Sequence, residues 1–401
     1  MRRRLLVIGN GMCSLRLLEE LTAVAAGRFE ITVIGAEQSP AYNRVLLSPM
    51  LAGELATSNV ALKPASWYAQ NGITLRTGQP VTRLETAGRV AVLRDGTCIP
   101  FDICVLATGS EPIRLPLPGS DLEGVVTFRS LQDAHILKSA AEAKGSAVVI
   151  GGGLLGIEAA YGLVRAGASV TLIHLVDRLM ERQLDAAAAR LLRCALEAKG
   201  IRVVLSTATR AILGDRCVTA VELDDGCRID CSLLVMAVGV KPSVALARDA
   251  ELKTGRGIVV DDRLMTSLED IFAIGECAEH RGQCYGLIEP GYEQARALAR
   301  HLADLPSSYE GSLSAASLKV SGIPVFSIGT FEGEDTEAIL LEDHEAAIYR
   351  KLVVRDGRLV GAVLFGDTSD SLWYRDLIRQ QAPVDAIRSA LAFGRAYAEA
   401  A

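Results

Sequence analysis

The 401-residue chain has no CxxC pair among its nine cysteines, no excess of basic residues, and no apolar run approaching the ~18 residues needed to cross a bilayer. Each absence excludes something. The cysteines (13, 98, 104, 194, 217, 227, 231, 277 and 284) are odd in number and scattered, unlike a secreted disulfide framework. Reduced thiols in a cytoplasm fit better, most of them as small core residues. Lys and Arg total 42 against 48 Asp and Glu, a formal net charge of -6, which is not the footprint of a nucleic-acid binder. The opening MRRRLLVIGNGMC imitates a signal peptide. Its apolar run spans only Leu5 to Ile8, however, and Met12 is not the small residue that a cleavage site requires. No low-complexity linker interrupts the chain. Half the residues are hydrophobic and 22% are charged, the proportions of a globular chain of two or three domains. The expectation is a cytoplasmic protein with neither a membrane nor a nucleic acid as partner.

What is present is a nucleotide-binding pattern, twice. RRLLVIGNGMCSLRLLEEL reads as a buried strand, a glycine turn (Gly9, Gly11) and an amphipathic helix, the opening of a dinucleotide-binding βαβ unit. Gly9 permits the tight turn, and Gly11 lets backbone approach a pyrophosphate seated on the positive helix end. Ser14 stands where a third glycine is usual and is still small enough for close packing. The next strand, from Ile31, ends beside Glu37, a candidate acceptor for a ribose hydroxyl. The second copy, SAVVIGGGLLGIEAAYGLVRAGASVTLI, is complete at Gly151, Gly153 and Gly156, between strands at Ala147 to Ile150 and Ser169 to Ile173. At its strand end the expected ribose acid is replaced by His174, with Asp177 and Arg178 a turn further on. His174 is either a donor-site residue or a surface residue at a loop start.

Two further buried strands end in small-residue loops suited to a bound nucleotide: DICVLATGSEP, with Thr108 and Gly109, and CSLLVMAVGVKP, with Gly239. IFAIGE delivers Gly275 and Glu276 to a strand end, where ligands of open α/β sheets collect, and an acid there can bind ribityl hydroxyls. The following stretch, to Gly286, holds Cys277, His280 and Cys284, the palette of a metal site. No partner pair at zinc spacing exists elsewhere, so no metal is expected. A first fingerprint, an inserted second one and a late acidic strand imply a split first domain and electron traffic between two dinucleotides.

Together GNGM (9 to 12), AYNRVLLSPMLAGE (41 to 54), GGGLLGIEAA (151 to 160), LMERQLD (179 to 185) and GECAEHRGQCYGL (275 to 287) resemble the two-dinucleotide flavoprotein reductases, the superfamily of glutathione, rubredoxin and ferredoxin reductases. More particularly, the whole chain is similar to the N-terminal half of the assimilatory nitrite reductase large subunit and to standalone reductase subunits of assimilatory nitrate reductases. The resemblance implies FAD at the first fingerprint with Gly275 and Glu276, and NADH, or NADPH, at the second. It also marks departures. No CxxxxC follows the first fingerprint, so a disulfide relay is not expected. Pro49 stands where relatives carry a lysine near the flavin that pairs with the acid matching Glu158, and His174 replaces the glutamate usual in NADH enzymes. The sequence holds none of the cysteine clusters of iron–sulfur and sirohaem domains, so it is not expected to reduce nitrite alone.

The expected fold is α/β: two Rossmann-like domains, for FAD (1–112 with 240–312) and NAD(P)H (113–239), plus a C-terminal α+β domain (313–401). That last domain reads as alternating antiparallel strands with a hairpin at Asp356–Gly357 and a helical stretch from Ser371; in the family it caps the flavin and makes homodimer, heterodimer or partner contacts. Hydride transfer from nicotinamide to flavin needs no acid–base side chain, so no catalytic residue is nominated. Glu158 is either close to the nicotinamide or a solvated helix glutamate, and Arg44 either meets flavin or forms a surface ion pair. The implied activity is an FAD-dependent oxidoreductase passing electrons from NADH to a nitrate or nitrite reductase catalytic subunit, or to a small iron–sulfur carrier. The alternatives are a rubredoxin or ferredoxin reductase and a stand-alone NADH oxidase or quinone reductase.

Overall fold

A computed structural model describes residues 2–143, 145–318, 320 and 322–400. The chain forms two compact units: residues 1–44, 57–111 and 240–314, and residues 45–56, 112–239 and 315–401. The C-terminal segment and the short stretch 45–56 thus group with the second fingerprint, a grouping that the three-part reading of the sequence did not contain.

In the first unit, five parallel strands lie in the order Ile271–Ala273, Ile103–Leu106, Arg3–Ile8, Phe29–Ile34, Ile73–Arg76. Three neighbouring strands are apolar without alternation (LLVI, ICVL and, at the edge, IFA), as covering on both faces requires. Leu5, Leu6, Val7, Val105, Leu106 and Phe272 are all buried. The helix Met12–Val24 turns Leu15, Leu17, Leu18 and Leu21 into this core and packs on the helix Ile288–Leu302. The last strand of this sheet in chain order lies beside the fourth, so the strand ends at residues 8, 106 and 273 lie side by side at the carboxyl end of the sheet.

The second unit repeats the plan. Its parallel order is Ile201–Val204, Ser169–Ile173, Ser146–Ile150, Leu233–Met236, Val125–Thr127. The helix Leu154–Arg165 follows the second glycine turn, and the short helix Leu47–Leu51 packs against it: a Cβ on Gly162 would lie 2.7 Å from Leu51 Cγ. In the same unit an antiparallel sheet runs Ala315–Ser317, Val325–Gly329, Arg358–Phe365, Ile348–Arg355, Glu337–Asp343 around its own core of Phe326, Leu352, Leu364 and Tyr374. Its hairpin turns at Asp356 (φ 50°) and Gly357 (φ 67°), the two positive φ values of a type I′ turn. The helix Ser371–Gln380 covers it. The sheet is tied to the rest of the unit through Asp185, which caps the helix Ala186–Ala198 at Ala188 N, accepts from Tyr349 Oη at 2.6 Å, and pairs with Lys351 Nζ at 3.0 Å.

Candidate cofactor sites

The two glycine turns are built alike. Gly9 has φ +110°, and a Cβ there would stand 2.1 Å from the Ala107 carbonyl oxygen; Gly151 has φ +117°, with a Cβ 2.3 Å from the Ala237 carbonyl oxygen. Each first glycine is therefore fixed both by its backbone angle and by the neighbouring strand end. Gly11 and Gly153 are the N-caps of their helices, lack a capping side chain, and would have nothing within 4 Å of an added Cβ. Two helix starts without a side-chain cap and with open backbone suit two pyrophosphates. In the first turn Asn10 adds a buried donor: its Oδ1 accepts from Tyr68 Oη at 3.0 Å while Nδ2 has no protein partner. The third positions differ. Gly156 tolerates nothing larger, since its Cβ would be 1.8 Å from Gly151 O, whereas Ser14 is buried and donates to Gly11 O at 2.9 Å.

Around the first turn, Gly275 has φ +80° and its N–H donates to Gln294 Oε1 at 2.7 Å. Glu276 accepts from Ser110 Oγ at 2.8 Å and lies 3.9 Å from where a Gly109 Cβ would be. Thr108 Oγ1 donates to Ser243 O at 2.8 Å, so this loop is pinned across the strand end. Glu37 is engaged by protein groups: Tyr42 Oη donates to it at 2.7 Å, and Arg44 bonds both Glu37 and Tyr42 Oη (2.9 Å). Burial opposes the charge on Arg44, but Tyr42, Glu37 and Glu276 outweigh it and hold its pKa above the ordinary value. The first unit thus brings together Gly9, Gly11, Ser14, Glu37, Arg44, Thr108, Gly109, Gly275 and Glu276. Pro49 sits in the helix Leu47–Leu51, which groups with the second unit.

In the cysteine-rich stretch Cys277 and His280 are buried, Cys284 is half-buried, and Arg281, Gly282 and Gln283 are exposed. Cys277 is fully buried, its thiol donates to Leu106 O and Ile274 O, and burial pushes its pKa up. His280 bonds Asp262 at 2.8 Å through Nε2. Among the described residues no group of three or more His, Cys, Asp or Glu could hold a metal ion, and no helix is long and apolar enough to cross a membrane.

Around the second turn, Glu158 is 9% exposed and accepts from Ser48 Oγ at 2.8 Å, which excludes the solvated-helix alternative. His174 is also no surface residue. Its side chain is 11% exposed, Nδ1 accepts the Gly152 N–H at 3.0 Å, and Nε2 lies 3.1 Å from Glu181 Oε2. Gly239 has φ +111° and its carbonyl accepts from Ile113 N. Sequence reasoning missed Ser110, Tyr42, Ser48 and Glu181. The last lies inside the quoted LMERQLD stretch, and the missing acid at the strand end was the signal that could have drawn attention to it.

Two glycine-turn sheets in one chain, each able to seat a pyrophosphate, define a two-dinucleotide reductase. The chain belongs to the pyridine nucleotide-disulphide oxidoreductase family, whose pattern matches residues 3–299, and residues 315–382 match the rubredoxin NAD+ reductase C-terminal domain. It is 43% identical over 385 residues to a nitrite reductase [NAD(P)H] of Bacillus subtilis, covering 96% of this chain and 48% of the relative. It is 42% identical to the assimilatory nitrate reductase electron transfer subunit of the same organism, covering 95% and 50%. The chain therefore spans about half the length of these curated relatives. A ferredoxin reductase from Rhodopseudomonas palustris shares 25% identity with a TM-score of 0.87, over 98% of this chain and 100% of that one.

Proposed function

We propose that the chain is an FAD-dependent NAD(P)H oxidoreductase that takes electrons from NADH and delivers them to a separate assimilatory nitrate or nitrite reductase catalytic subunit. The observation that carries this reading is the pair of matching glycine turns, one with Glu276 at a neighbouring strand end and the other with Glu158 buried in its helix. In the first unit, the N–H groups after Gly11 would hold the FAD pyrophosphate, and Glu276, oriented by Ser110, would accept from ribityl hydroxyls. In the second unit, Gly153 and its helix would hold the pyrophosphate of NADH. Bound FAD supplies the redox chemistry, accepting a hydride and releasing electrons onward. The protein groups bind and orient, and none needs to move a proton. Residues 1–112 with 240–312 would be the flavin part, 113–239 the donor part, and 313–401 the part that meets a partner or a second copy. The work would be done in the cytoplasm.

The match of residues 315–382 favours a second acceptor class, a small iron–sulfur carrier such as rubredoxin or ferredoxin. Reconstitution decides. Expected are slow NADH oxidation by oxygen alone, fast turnover with ferricyanide, and NADH-driven nitrate or nitrite reduction only when the catalytic partner is added. Electron flow into rubredoxin alone selects the second class. Rapid oxygen or quinone turnover with no flow into any protein acceptor would establish a stand-alone oxidase instead.

A further inference from the structure

In the second unit the carboxyl end of the strand Ser169–Ile173 carries His174 where a dinucleotide site usually presents an acid to the adenosine ribose, about 20 residues beyond the first glycine. The chain then wraps the glycine turn. Gly152 N–H donates to His174 Nδ1 at 3.0 Å, and Met180 N–H returns to Gly152 O at 2.9 Å, so both backbone groups of Gly152 are held by the segment 174–180. The fit is close: a Cβ on Gly152 would meet His174 Cγ and Leu179 Cδ2, each at 2.7 Å. Met180 turns back with φ +51°, which delivers the next residue, Glu181, beside the turn. Nδ1 accepting an N–H leaves the ring proton on Nε2, which donates it toward Glu181 Oε2, the nitrogen and oxygen 3.1 Å apart.

Resting on the donor-site reading above, we propose that Glu181, supplied by the loop and anchored by His174, is the specificity-determining carboxylate of the donor site: it accepts from the 2′-hydroxyl of the adenosine ribose and repels a 2′-phosphate. His174 is the positioning residue. Glu181 fits the role because its side chain is 33% exposed, with Oε2 on the imidazole and Oε1 4.0 Å from the exposed Arg182. Asp177 fits less well. Its side chain is 74% exposed and pairs with Arg178 at 3.5 Å, with no bond to the glycine turn. A carboxylate accepting a hydroxyl hydrogen bond discriminates strongly against a phosphate at the same position, through like-charge repulsion.

The test is calorimetric titration of the flavin-containing chain with ADP-ribose and with 2′-phospho-ADP-ribose, which reads binding independently of turnover. The parent should prefer ADP-ribose. Glu181→Gln should weaken ADP-ribose binding about tenfold, a charged acceptor having been replaced by a neutral one, while 2′-phospho-ADP-ribose binding holds or improves. His174→Asn keeps an acceptor for Gly152 N–H but releases Glu181, so it should move the ratio in the same direction by less. An unchanged ratio in both variants, equal weakening of both ligands, or a shift appearing instead in Asp177→Asn overturns the assignment while leaving the donor site standing. A parent that binds neither ligand removes the donor site itself.

Discussion

Ser48 Oγ donates to Glu158 Oε2 at 2.8 Å, across 110 positions of sequence. The short helix Leu47–Leu51 and the helix Leu154–Arg165 pack within one unit, so a carboxylate facing mostly protein has a hydroxyl fixed on it. Pro49 lies next to that serine in the same short helix, and the hydroxyl of Ser48 is a neutral donor to this acid. If Glu158 lies close to the nicotinamide, Glu158→Gln should slow flavin reduction by NADH about tenfold, and Ser48→Ala should slow it less, since a lost hydrogen bond to a charged group costs about 1.5–3 kcal/mol and a neutral amide recovers part of it. Stopped-flow traces at 450 nm, the approximate flavin band, measure both. Unchanged rates in both variants would leave Glu158 a structural residue.

Flavin retention is expected to depend on Glu276. On the proposed flavin reading, removing the carboxylate would deprive the ribityl chain of an acceptor and leave Ser110 without its bond to Glu276, so Glu276→Ala should raise the Kd for FAD on the order of 10–100-fold. Fluorescence titration of the flavin-stripped chain checks it, and Ser110→Ala should produce a smaller shift in the same direction. An unchanged Kd would remove Glu276 from the site.

The Asp185 cluster predicts an acid limb in stability. Burial pushes the pKa of Asp185 up, but Tyr349, the Ala188 N–H and Lys351 outweigh it and hold the carboxyl below its ordinary 3.8. A depressed folded pKa means the contribution is present above about pH 4 and is lost as pH falls through the folded value. Asp185→Asn should therefore cost about 2–4 kcal/mol at pH 7, and urea titrations should show parent and variant converging as the pH drops below about 4.

Thiol labelling should sort the cysteines by environment. Cys98 and Cys194 are exposed and should react first with iodoacetamide at pH 8. Cys217 and Cys227 are exposed too, but hydrogen bonds with Glu123 and Asp225 raise their pKa values and slow them. Burial lifts Cys231 to about 11 and Cys104 and Cys277 upward, so these should label only on unfolding. Elemental analysis of the same preparation should find no stoichiometric zinc or iron. Metal lost on changing Cys277 or Cys284 would overturn the metal-free reading of that stretch.

The sequence by itself determined the two parallel sheets, the two glycine turns and the Asp356–Gly357 hairpin. The sheets and turns are written in runs of neighbours: an apolar strand buried on both faces, then Gly9 or Gly151, where left-handed φ and backbone contact allow nothing else; the hairpin is written in the Asp–Gly pair itself. It also brought Gly275 and Glu276 to a strand end, because strand and acid are adjacent in the chain. What it left open were partners. His174 and Glu158 each had two readings, and only folding decided that both are buried and bonded, one to Gly152 and Glu181, the other to Ser48. The grouping of 45–56 and 315–401 with 112–239 was likewise invisible, since it depends on Leu51 packing at Gly162 and on Asp185 meeting Tyr349 and Lys351. Local pattern encodes backbone conformation and burial over a few residues; which polar group meets which, across 100 or more positions, is set by how packed elements cross, and no short window of sequence contains that.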